Sequence, residues 1–406
     1  MSAFRVNEMN CAHTIPEMRT AAGTPTLWPA FGLGLAVAVG NGLARFAYAL
    51  LLPSMRADLG WSYAQAGWLN TANALGYVVG AVSGYLLLNQ FSARTLFIVG
   101  LCLTFLSLGA TGIHADVAWL SGQRLLSGIG AAWVFSCGSV LVQVRYRNAP
   151  HLSSSATGLF FAGAGIGIAA SGLVIGPLLA ILGDAAWPRA WLTLGALGAA
   201  ASIWPLILAT RTAVDAVSNY RSLDAVPLTR LGTSMAAYFF FATGYIVYMT
   251  FIFAWLGEQG LPWQFGTVVW TVLGIGVAVA PFAWRKLLDR WPGDRILSAS
   301  CAVTLAGTLV ALIDARVAVL VSAALFGLGV FIAPSAIAIL VRQSLPPDQI
   351  ARAMTLFTAI FAIGQAIGPV LAGSVADKQG LDASLAVGAI LLGVAAILPL
   401  RRWLRG

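Results

Sequence analysis

The chain has 406 residues, of which 59% are hydrophobic and only 9% are charged. Because soluble domains carry about a quarter charged residues, this composition excludes an ordinary water-exposed globular protein and indicates a chain whose main solvent is lipid. The formal net charge of +9 would suggest a nucleic-acid partner in a soluble protein, but the positions of the charges argue against one. The four cysteines show no paired spacing and three fall in apolar runs, so neither a disulfide framework nor a metal site is predicted.

The chain begins with a polar tail, residues 1–27, which we expect to be disordered and cytoplasmic. The first apolar run starts near Trp28. It is too long for the core of a signal peptide and has no small-residue cleavage site, so we interpret it as a retained membrane span.

Further apolar runs follow one another to the end of the chain. Crossing roughly 30 Å of hydrocarbon takes about 20 helical residues, and twelve runs are of that length. A membrane barrel would need shorter segments of alternating hydrophobicity, so the sequence predicts an all-α integral membrane protein. The twelve predicted spans cover residues 28–52, 64–88, 94–113, 117–142, 154–180, 190–209, 233–255, 265–284, 296–313, 317–341, 351–375 and 382–400.

The distribution of lysine and arginine predicts the orientation of these spans. With the N-terminus in the cytoplasm, the inside tails and loops hold seventeen basic residues, and the outside loops hold four, which are Arg56, Arg189, Arg316 and Lys378. An excess of this size in short loops is typical of the cytoplasmic side. We therefore expect a multi-pass protein of the bacterial inner membrane with both termini cytoplasmic, and its basic character requires no nucleic acid.

Two of the 23 basic residues, Arg45 and Arg124, fall inside predicted spans. All fourteen acidic residues fall in tails, in loops or at the extreme ends of spans. The predicted membrane interior is therefore positive, and no acidic side chain is placed to neutralise it. An ionised residue inside a span marks a candidate functional site.

The longest internal polar stretch, residues 210–231, is predicted to be a cytoplasmic loop between two six-helix bundles, 28–209 and 232–406, the second with a short cytoplasmic tail. The fifth and eleventh spans share the pattern Gly-x-x-x-Gly-Pro, in which small residues permit close helix approach and proline bends the helix. Ordinary packing is the favoured interpretation, and the recurrence indicates two related halves. The residues concerned are Gly172, Gly176, Pro177, Gly364, Gly368 and Pro369.

Three motifs resemble the major facilitator superfamily, and the resemblance covers about residues 28–400. The span-four sequence "RLLSGIGAA" (124–132) is similar to the family's Arg-x-x-x-Gly-x-Gly, and the loop "NQFSARTL" (89–96) is a degenerate form of its Asp-Arg-x-Gly-Arg-Lys motif. The second copy of that loop, "LLDRWPGDR" (287–295), is better preserved. The resemblance implies that this loop closes the cytoplasmic side through Asp289, Arg290, Gly293 and Arg295.

More narrowly, the stretch "NGLARFAYALLLPSMRADLGWSYAQAGWLNTAN" resembles the bacterial YbfB-like branch of that superfamily. The resemblance implies two pseudo-symmetric six-helix bundles and a central cavity that is reached alternately from each side. Spans one, four, seven and ten would line this cavity. It further implies a carrier, rather than an enzyme, that works as a monomer and needs no cofactor.

Helical spacing collects polar side chains at the level of the two buried arginines. Arg45 and Arg124 each lie seven residues from the outer end of their spans, which is roughly 10 Å at about 1.5 Å per residue. Asn41 and Tyr48 share the face of Arg45 at helical spacing. The predicted substrate-binding residues are Arg45, Arg124, Asn41, Tyr48, Asn70, Asn73, Tyr245, Tyr248 and Gln365.

A guanidinium pairs with a carboxylate through two parallel hydrogen bonds, so two arginines without an acid predict a small organic anion as the substrate. Other interpretations stay open. Arg45 could snorkel to the outer surface, and Arg124 could clamp neighbouring carbonyl groups. The remaining candidates could serve helix packing or hydrogen bonding between helices; they are Asn41, Asn70, Asn73, Tyr245 and Tyr248.

The coupling partner, a proton or a counter-anion, is not evident from the sequence. The three histidines fall in tails or loops, and the acids nearest the interior, Asp58 and Asp116, are more typical of caps or solvated turns. An exporter of hydrophobic compounds would fit the many aromatic residues but not the arginines, and a non-transporting sensor of the same fold is a remote alternative. The predicted spans contain neither paired carboxylates nor a Ser–His pair, so the sequence gives no indication of a membrane enzyme.

Overall fold

The computed structural model describes residues 26–212 and 228–400, and this part of the chain contains helices and their connections but no strand. Residues 1–25, 213–227 and 401–406, which hold most of the predicted tails and central loop, lie outside it. The helices are α1 (Trp28–Val37), the π-segment (Ala38–Phe46), α2 (Tyr48–Leu59), α3 (Tyr63–Leu87), α4 (Ala93–Thr111), α5 (Val117–Arg145), α6 (Pro150–Leu182), a short 3-10 turn (Asp184–Ala186), α7 (Trp187–Thr210), α8 (Leu228–Glu258), α9 (Trp263–Ala283), α10 (Arg285–Arg290), α11 (Gly293–Ala311), α12 (Arg316–Val330), α13 (Ala333–Ser344) and α14 (Pro347–Ile397).

Short polar residues determine where several helices begin. The Ser62 hydroxyl accepts a hydrogen bond from the Gln65 N–H, and the Gln65 side chain accepts one from the Ser62 N–H, which forms a capping box before α3. Ser92 and Asp116 cap α4 and α5 by accepting from the N–H three residues further on. For Asp116, this is the capping role that the sequence favoured over proton coupling.

Ten helical stretches among the described residues are long and apolar enough to cross a membrane. Two features account for the difference between these ten stretches and the twelve predicted spans. α3 has 25 residues, but the buried Asn70 and Asn73 lower its mean hydropathy, while Val82 and Leu86 are exposed. α14 has 51 residues and a non-helical backbone at Gly380 (φ 84°, ψ 169°), where two crossings would join. The all-helical membrane fold is confirmed, and the count of twelve stays a prediction.

The same neighbour pattern occurs in both halves of the chain. In the first half, α3 and α4 pack against α5, α4 packs against α7, and α1 packs against α6. In the second half, α9 and α11 pack against α12, α11 packs against α14, and α8 packs against α14. Each span therefore meets equivalent neighbours in the two halves, as expected of related bundles. The boundaries 28–209 and 232–406 stay predictions.

The two copies of the glycine–proline pattern pack in different ways. Gly172 and Gly176 of α6 face α9 of the other half, where Trp270 and Thr267 occupy the space that a side chain would need. α6 and α9 can therefore approach closely across the interface between the halves.

In α14, by contrast, Gly364 and Gly368 face α8 of the same half. A Cβ at these glycines would lie 2.7 and 2.8 Å from the carbonyl oxygens of Phe239 and Thr243. The carbonyl of Pro369 instead lies against α3 of the other half. The glycines of the first copy thus support a contact between the halves, and those of the second copy support a contact within one half.

Two of the predicted spans are interrupted within their length. The first contains the π-segment between α1 and α2, and the tenth breaks at Phe331 between α12 and α13, with Pro334 in the first turn of α13. π-helical turns inside α-helices occur frequently at functional sites. Both interruptions lie beside the cavity described below, because Phe331, Pro334 and Arg45 of the π-segment all line it.

Replacing Gly128 tests the close packing of α3 on α5. We expect Gly128→Ala to destabilise the fold by about 1–3 kcal/mol, because a Cβ at this position overlaps the Asn73 carbonyl oxygen. Gly122→Ala on the same helix is the matched control, since nothing lies within 4 Å of its Cβ position. Thermal unfolding in detergent measures both variants, and equal melting temperatures would contradict the packing argument.

Candidate functional site

A cavity of about 140 Å³ lies between the two halves. Its walls come from the π-segment, α3, α5, α8, the broken tenth span and α14. The lining residues are Asn41, Arg45, Phe46, Tyr77, Phe135, Tyr238, Tyr245, Val330, Phe331, Pro334, Ile337, Met354, Phe357, Thr358, Phe361 and Gln365.

Arg45 reaches this cavity from the π-segment and is only 4% exposed. Its Nη2 donates a hydrogen bond to Gln365 Oε1, and Gln365 Nε2 donates one to the Tyr245 hydroxyl. Arg45 belongs to the first half and the other two residues to the second, so this chain of hydrogen bonds connects the halves. The Tyr77 ring centroid lies 4.8 Å from Arg45 Cζ, at the distance of a cation–π contact.

Arg45 is the one charged residue among the sixteen described residues that line the cavity. Its side-chain acceptor, Gln365, is a neutral amide. Burying a charge is costly unless the charge is paired, and a neutral acceptor compensates it only in part. The cavity therefore favours a ligand that brings a negative charge.

Asn41 lies one turn before Arg45 in the π-segment and also lines the cavity. Its Oδ1 is buried and has no hydrogen-bond partner in the described part of the chain. A buried acceptor left unpaired costs about 1–3 kcal/mol. A ligand with a donor group would remove that cost.

Arg124 lies behind the cavity wall rather than in it, and it is 1% exposed. Its Nη1 donates to the Ala44 carbonyl, and its Nη2 lies 3.3 Å from the Arg45 carbonyl and 3.4 Å from Asn70 Oδ1. Its Nε lies 3.4 Å from the Leu69 carbonyl. Where a π-helix returns to an α-helix, the regular hydrogen-bond ladder is interrupted and needs other partners. The geometry matches the clamp on neighbouring carbonyls that the sequence left open.

Four other predicted site residues also lie outside the cavity lining. The Tyr48 hydroxyl donates to the Ala66 carbonyl at 2.7 Å, and Tyr248 shares a 2.9 Å hydrogen bond with Ser322. The π-segment explains the position of Tyr48. A π-helix has more residues per turn than an α-helix, so the face predicted from α-helical spacing does not continue past Arg45.

The two asparagines of α3 bond to neighbouring helices. Asn73 Nδ2 donates at 3.0 Å to both the Arg124 carbonyl and Ser127 Oγ, and Asn70 Nδ2 donates to Thr250 Oγ1 at 2.6 Å. These bonds agree with the interhelical role that the sequence left open. Of the nine predicted site residues, the structure brings Asn41, Arg45, Tyr245 and Gln365 together at the cavity; a part in binding stays a prediction for all nine.

Sequence reasoning missed most of the aromatic lining. Phe357, Phe361 and Gln365 recur every four residues on α14, and Tyr238 lies seven residues before Tyr245 on α8, so helical periodicity could have found both sets. We define the aromatic wall as Tyr238, Tyr245, Phe357 and Phe361, which all line the cavity. Phe331 had no periodic signal, because it occupies the break in the tenth span.

The bundle has two ends, which we call the tail side (where α1 and α14 begin) and the far side (where α3 begins and α8 ends). A second cavity, of about 220 Å³, shares the lining residues Met354 and Thr358 with the first and lies between α3, α5 and α14 as far as Leu88 at the tail-side end of α3. Open space therefore extends from the Arg45 region toward the tail side.

The far side is closed by contacts between the halves. Asp377 of α14 accepts hydrogen bonds from the Tyr63 N–H at 2.7 Å and the Ala64 N–H at 3.0 Å, at the N-terminus of α3. Negative charge is stabilised at that end of a helix. The Tyr63 hydroxyl donates to Glu258 at 2.5 Å, and Thr71 donates to the Ala366 carbonyl at 2.6 Å. We call the contacts of Asp377 and Glu258 with α3 the far-side latch.

The loop that was expected to close the cytoplasmic side lies at the tail side. Asp289 and Arg290 are exposed at the end of α10. Gly293 is buried, its N–H donates to Gln343 Oε1 at 3.1 Å, and a Cβ there would overlap the backbone of Leu340 in α13. This glycine therefore permits a close backbone contact. The gating role of these residues, including Arg295, stays a prediction.

Comparison with known proteins places these features in a wider group. The sequence matches, over residues 26–400, a family described as "Uncharacterised MFS-type transporter YbfB". It is 30% identical over 243 residues to the 3-(3-hydroxy-phenyl)propionate transporter of Escherichia coli (strain K12) and 25% identical over 262 residues to the uncharacterized MFS-type transporter YceJ of Bacillus subtilis (strain 168). These matches span 56% and 63% of the length of each relative, and the same shares of this chain.

Solved structures show the same fold at low sequence identity. A bacterial homologue of the human lysosomal transporter Spinster, solved in an inward-facing and unoccupied conformation, superposes with a TM-score of 0.66 at 16% identity over 93% of this chain and 97% of that one. A mutant of the nucleoside transporter NupG gives a TM-score of 0.66 at 14% identity over 92% and 98% of the two chains.

Removing the guanidinium of Arg124 tests its structural role. We expect Arg124→Gln to destabilise the fold by roughly 2–6 kcal/mol, because it removes the hydrogen bonds of the guanidinium to the Ala44 and Arg45 carbonyls, which contribute about 1–3 kcal/mol each. Thermal unfolding in detergent provides the measurement. Arg45→Gln makes the same charge change, yet it removes a single side-chain hydrogen bond beside open space. A larger loss of stability in Arg45→Gln than in Arg124→Gln would contradict this assignment.

Proposed function

The chain belongs to the family described as "Uncharacterised MFS-type transporter YbfB", and we propose that it carries a small organic anion whose carboxylate binds Arg45. The observation that carries the proposal is a buried arginine that lines a cavity between the two halves and has a neutral amide as its side-chain acceptor. A carboxylate would supply two oxygens to the guanidinium and a full counter-charge, both of which are absent from Gln365.

Neighbouring groups can orient such an anion. Gln365 and Tyr245 are already connected to Arg45 by hydrogen bonds, so their amide and hydroxyl lie where they can bind a second carboxylate oxygen. The face of the Tyr77 ring packs against the Arg45 guanidinium, so the N–H groups at the edge of the guanidinium stay available to a ligand. In this proposal Arg124 acts through the backbone of the π-segment and does not touch the anion.

The relative named as the 3-(3-hydroxy-phenyl)propionate transporter supports the proposal, because that compound is an organic acid. The match covers 56% of each chain, so it supports the class of substrate and not its identity. An exporter of hydrophobic compounds would also suit the aromatic lining, but it gives Arg45 no role.

We further propose that the structure represents one of two alternating states. With the predicted orientation, the tail side is cytoplasmic, so this state is open inward and closed outward by the far-side latch. Outward opening would separate Asp377 from the N-terminus of α3 and Glu258 from Tyr63. Arg45 lies between the latch and the open space and can be reached from either side in turn.

Coupling would rest on the anion itself. The described residues that line the cavity include neither a carboxylate nor a histidine, the groups that usually exchange protons near neutral pH. Exchange of one anion for another, or entry of the acid with its own proton, requires neither group. The direction of transport would therefore depend on the anions present on each side of the membrane.

The test is ligand-dependent thermal stability of the purified protein. We expect hexanoate or 3-phenylpropanoate to stabilise the wild type, while glucose and tetraphenylphosphonium do not. A ligand at 100 times its Kd stabilises the state that binds it by about 2.7 kcal/mol. Arg45→Gln should abolish the carboxylate effect, and Arg45→Lys should weaken it, because an ammonium lacks the two-pronged geometry.

Arg316→Gln is the matched control, since it removes the same charge from an exposed position at the start of α12. It should respond to carboxylates as the wild type does. Stabilisation by tetraphenylphosphonium that survives in Arg45→Gln would overturn the anion proposal in favour of an exporter of lipophilic compounds.

A second experiment tests the latch. We expect Asp377→Asn to shift the population toward the outward-open state, because an amide oxygen accepts from the α3 N-terminus without a full negative charge. Spin labels on cysteines introduced at Ala57 and Gln259, which are exposed on opposite halves at the far side, should show more of the longer distance.

Asp382→Asn provides the control for the latch. Asp382 accepts from Trp255 Nε1 at 2.6 Å, and both residues belong to the second half, so this contact does not cross the interface. The same shift in distance in both variants would show that the effect is a general response to charge at the far side and not the opening of a latch.

A further inference from the structure

The lining of the cavity is enriched in aromatic residues compared with the whole chain. Eight of its sixteen lining residues are Phe or Tyr, against 11% aromatic residues in the whole chain. They come from both halves: Phe46, Tyr77 and Phe135 from the first, and Phe331 and the aromatic wall from the second. A passage for a small aliphatic anion would not need rings on every side, so the lining indicates the shape of the substrate.

The aromatic wall has the geometry of a stacking surface. Phe361 lies 4.7 Å from Tyr238 at an interplanar angle of 22° and 5.8 Å from Tyr245 at 14°. Phe357 meets Tyr238 at 65°, with centroids 6.0 Å apart. Three nearly parallel rings thus end at Tyr245, which is joined through Gln365 to Arg45. A carboxylate on Arg45 would place its attached group beside this surface.

The charge of the lining limits the charge of the substrate. Arg45 is the single cation among the described lining residues, so a second carboxylate on the substrate would enter an aromatic region without a partner. An unpaired buried charge is far more costly than a buried ring. A monocarboxylate is therefore favoured over a dicarboxylate.

Asn41 adds a requirement for a hydrogen-bond donor. Its buried Oδ1 has no partner in the described residues, and the residue lines the cavity four positions before Arg45 in the π-segment. A cationic substrate would need carboxylate acceptors, and the described lining residues include none. The donor that suits this oxygen is therefore a neutral hydroxyl or N–H.

We propose that the substrate is an aryl monocarboxylate that carries a hydroxyl or N–H donor. Its carboxylate binds Arg45, its ring stacks on the aromatic wall, and its donor bonds to Asn41 Oδ1. This inference rests on the proposed function, and it selects one class among the organic anions.

The experiment compares ligand affinities for the wild-type protein in detergent by titration calorimetry. The first pair is 3-phenylpropanoate and 3-cyclohexylpropanoate, which share a carboxylate and chain but differ in the ring. Area burial alone gives no advantage to the phenyl ring, whereas aromatic pairs contribute about 0.5–1.5 kcal/mol beyond it, so we expect roughly fivefold tighter binding of the phenyl compound. Equal or weaker binding overturns the assignment of an aryl substrate.

The second comparison sets the three ring-hydroxylated isomers of 3-phenylpropanoate against the parent compound. At least one isomer should bind about tenfold more tightly, because a hydroxyl that pairs a buried acceptor is worth about 1–3 kcal/mol. The gain should vanish in Asn41→Ala, in which the acceptor is missing. A gain in no isomer, or one that persists in Asn41→Ala, overturns the role of Asn41.

A variant of the wall separates stacking from simple burial. Phe361→Leu keeps an apolar side chain but removes a ring, and it should bring the phenyl-to-cyclohexyl affinity ratio close to one while the cyclohexyl affinity is retained. The wild-type comparison stands even if this variant does not fold.

The outcomes distinguish this inference from the function on which it rests. Binding of 3-cyclohexylpropanoate and hexanoate that is as tight as that of 3-phenylpropanoate, and that is lost in Arg45→Gln, would leave the organic-anion carrier in place and reject the aryl class. If no carboxylate binds and 3-phenylpropanol does, both proposals fail, since the ring would then be recognised without the anion.

Discussion

The structure depends on how a low-dielectric interior satisfies the polar groups of one irregular span. Inside a membrane every backbone group needs a partner within the protein. The π-segment interrupts the first span, and Arg124 donates to the carbonyls of Ala44 and Arg45 at its end. One buried cation is thus used to stabilise the backbone conformation from which the other, Arg45, reaches the cavity. Both arginines are nearly inaccessible, yet one is surrounded by acceptors and the other has one neutral acceptor.

This difference divides two residues that look equivalent in the sequence. Charge accounting located both arginines correctly, because an ionised residue within an apolar run can be recognised from the sequence alone. It could not distinguish a guanidinium bonded to main-chain carbonyls from one that is available to a ligand, since main-chain acceptors leave no trace in the residue pattern. The all-helical membrane fold was predictable for a related reason: the length of an apolar run is fixed by the thickness of the bilayer.

Errors in the predicted positions begin at the π-segment. Asn41 and Arg45 stay on one face, but Tyr48 follows the change of helical period and turns toward Ala66 and Trp191. A π-turn depends on tertiary partners such as Arg124, so local spacing does not reveal it. The aromatic wall, in contrast, lies on regular α-helices and follows the period that a search of α8 and α14 would find. The predicted site included Tyr245 of this wall but missed Tyr238, Phe357 and Phe361, because it was assembled around polar side chains.

The position of Arg45 also suggests how binding could change the relation between the halves. In the structure its guanidinium bonds to Gln365 of the other half, directly beside the hydrogen bond of Thr71 to the Ala366 carbonyl. A carboxylate that occupied the guanidinium would compete with Gln365 and loosen or replace one connection across the interface. A ligand shifts a conformational equilibrium only by its difference in affinity for the two states. Because the anion site is itself a contact between the halves, that difference arises at the site, and no separate pathway to the far-side latch is required.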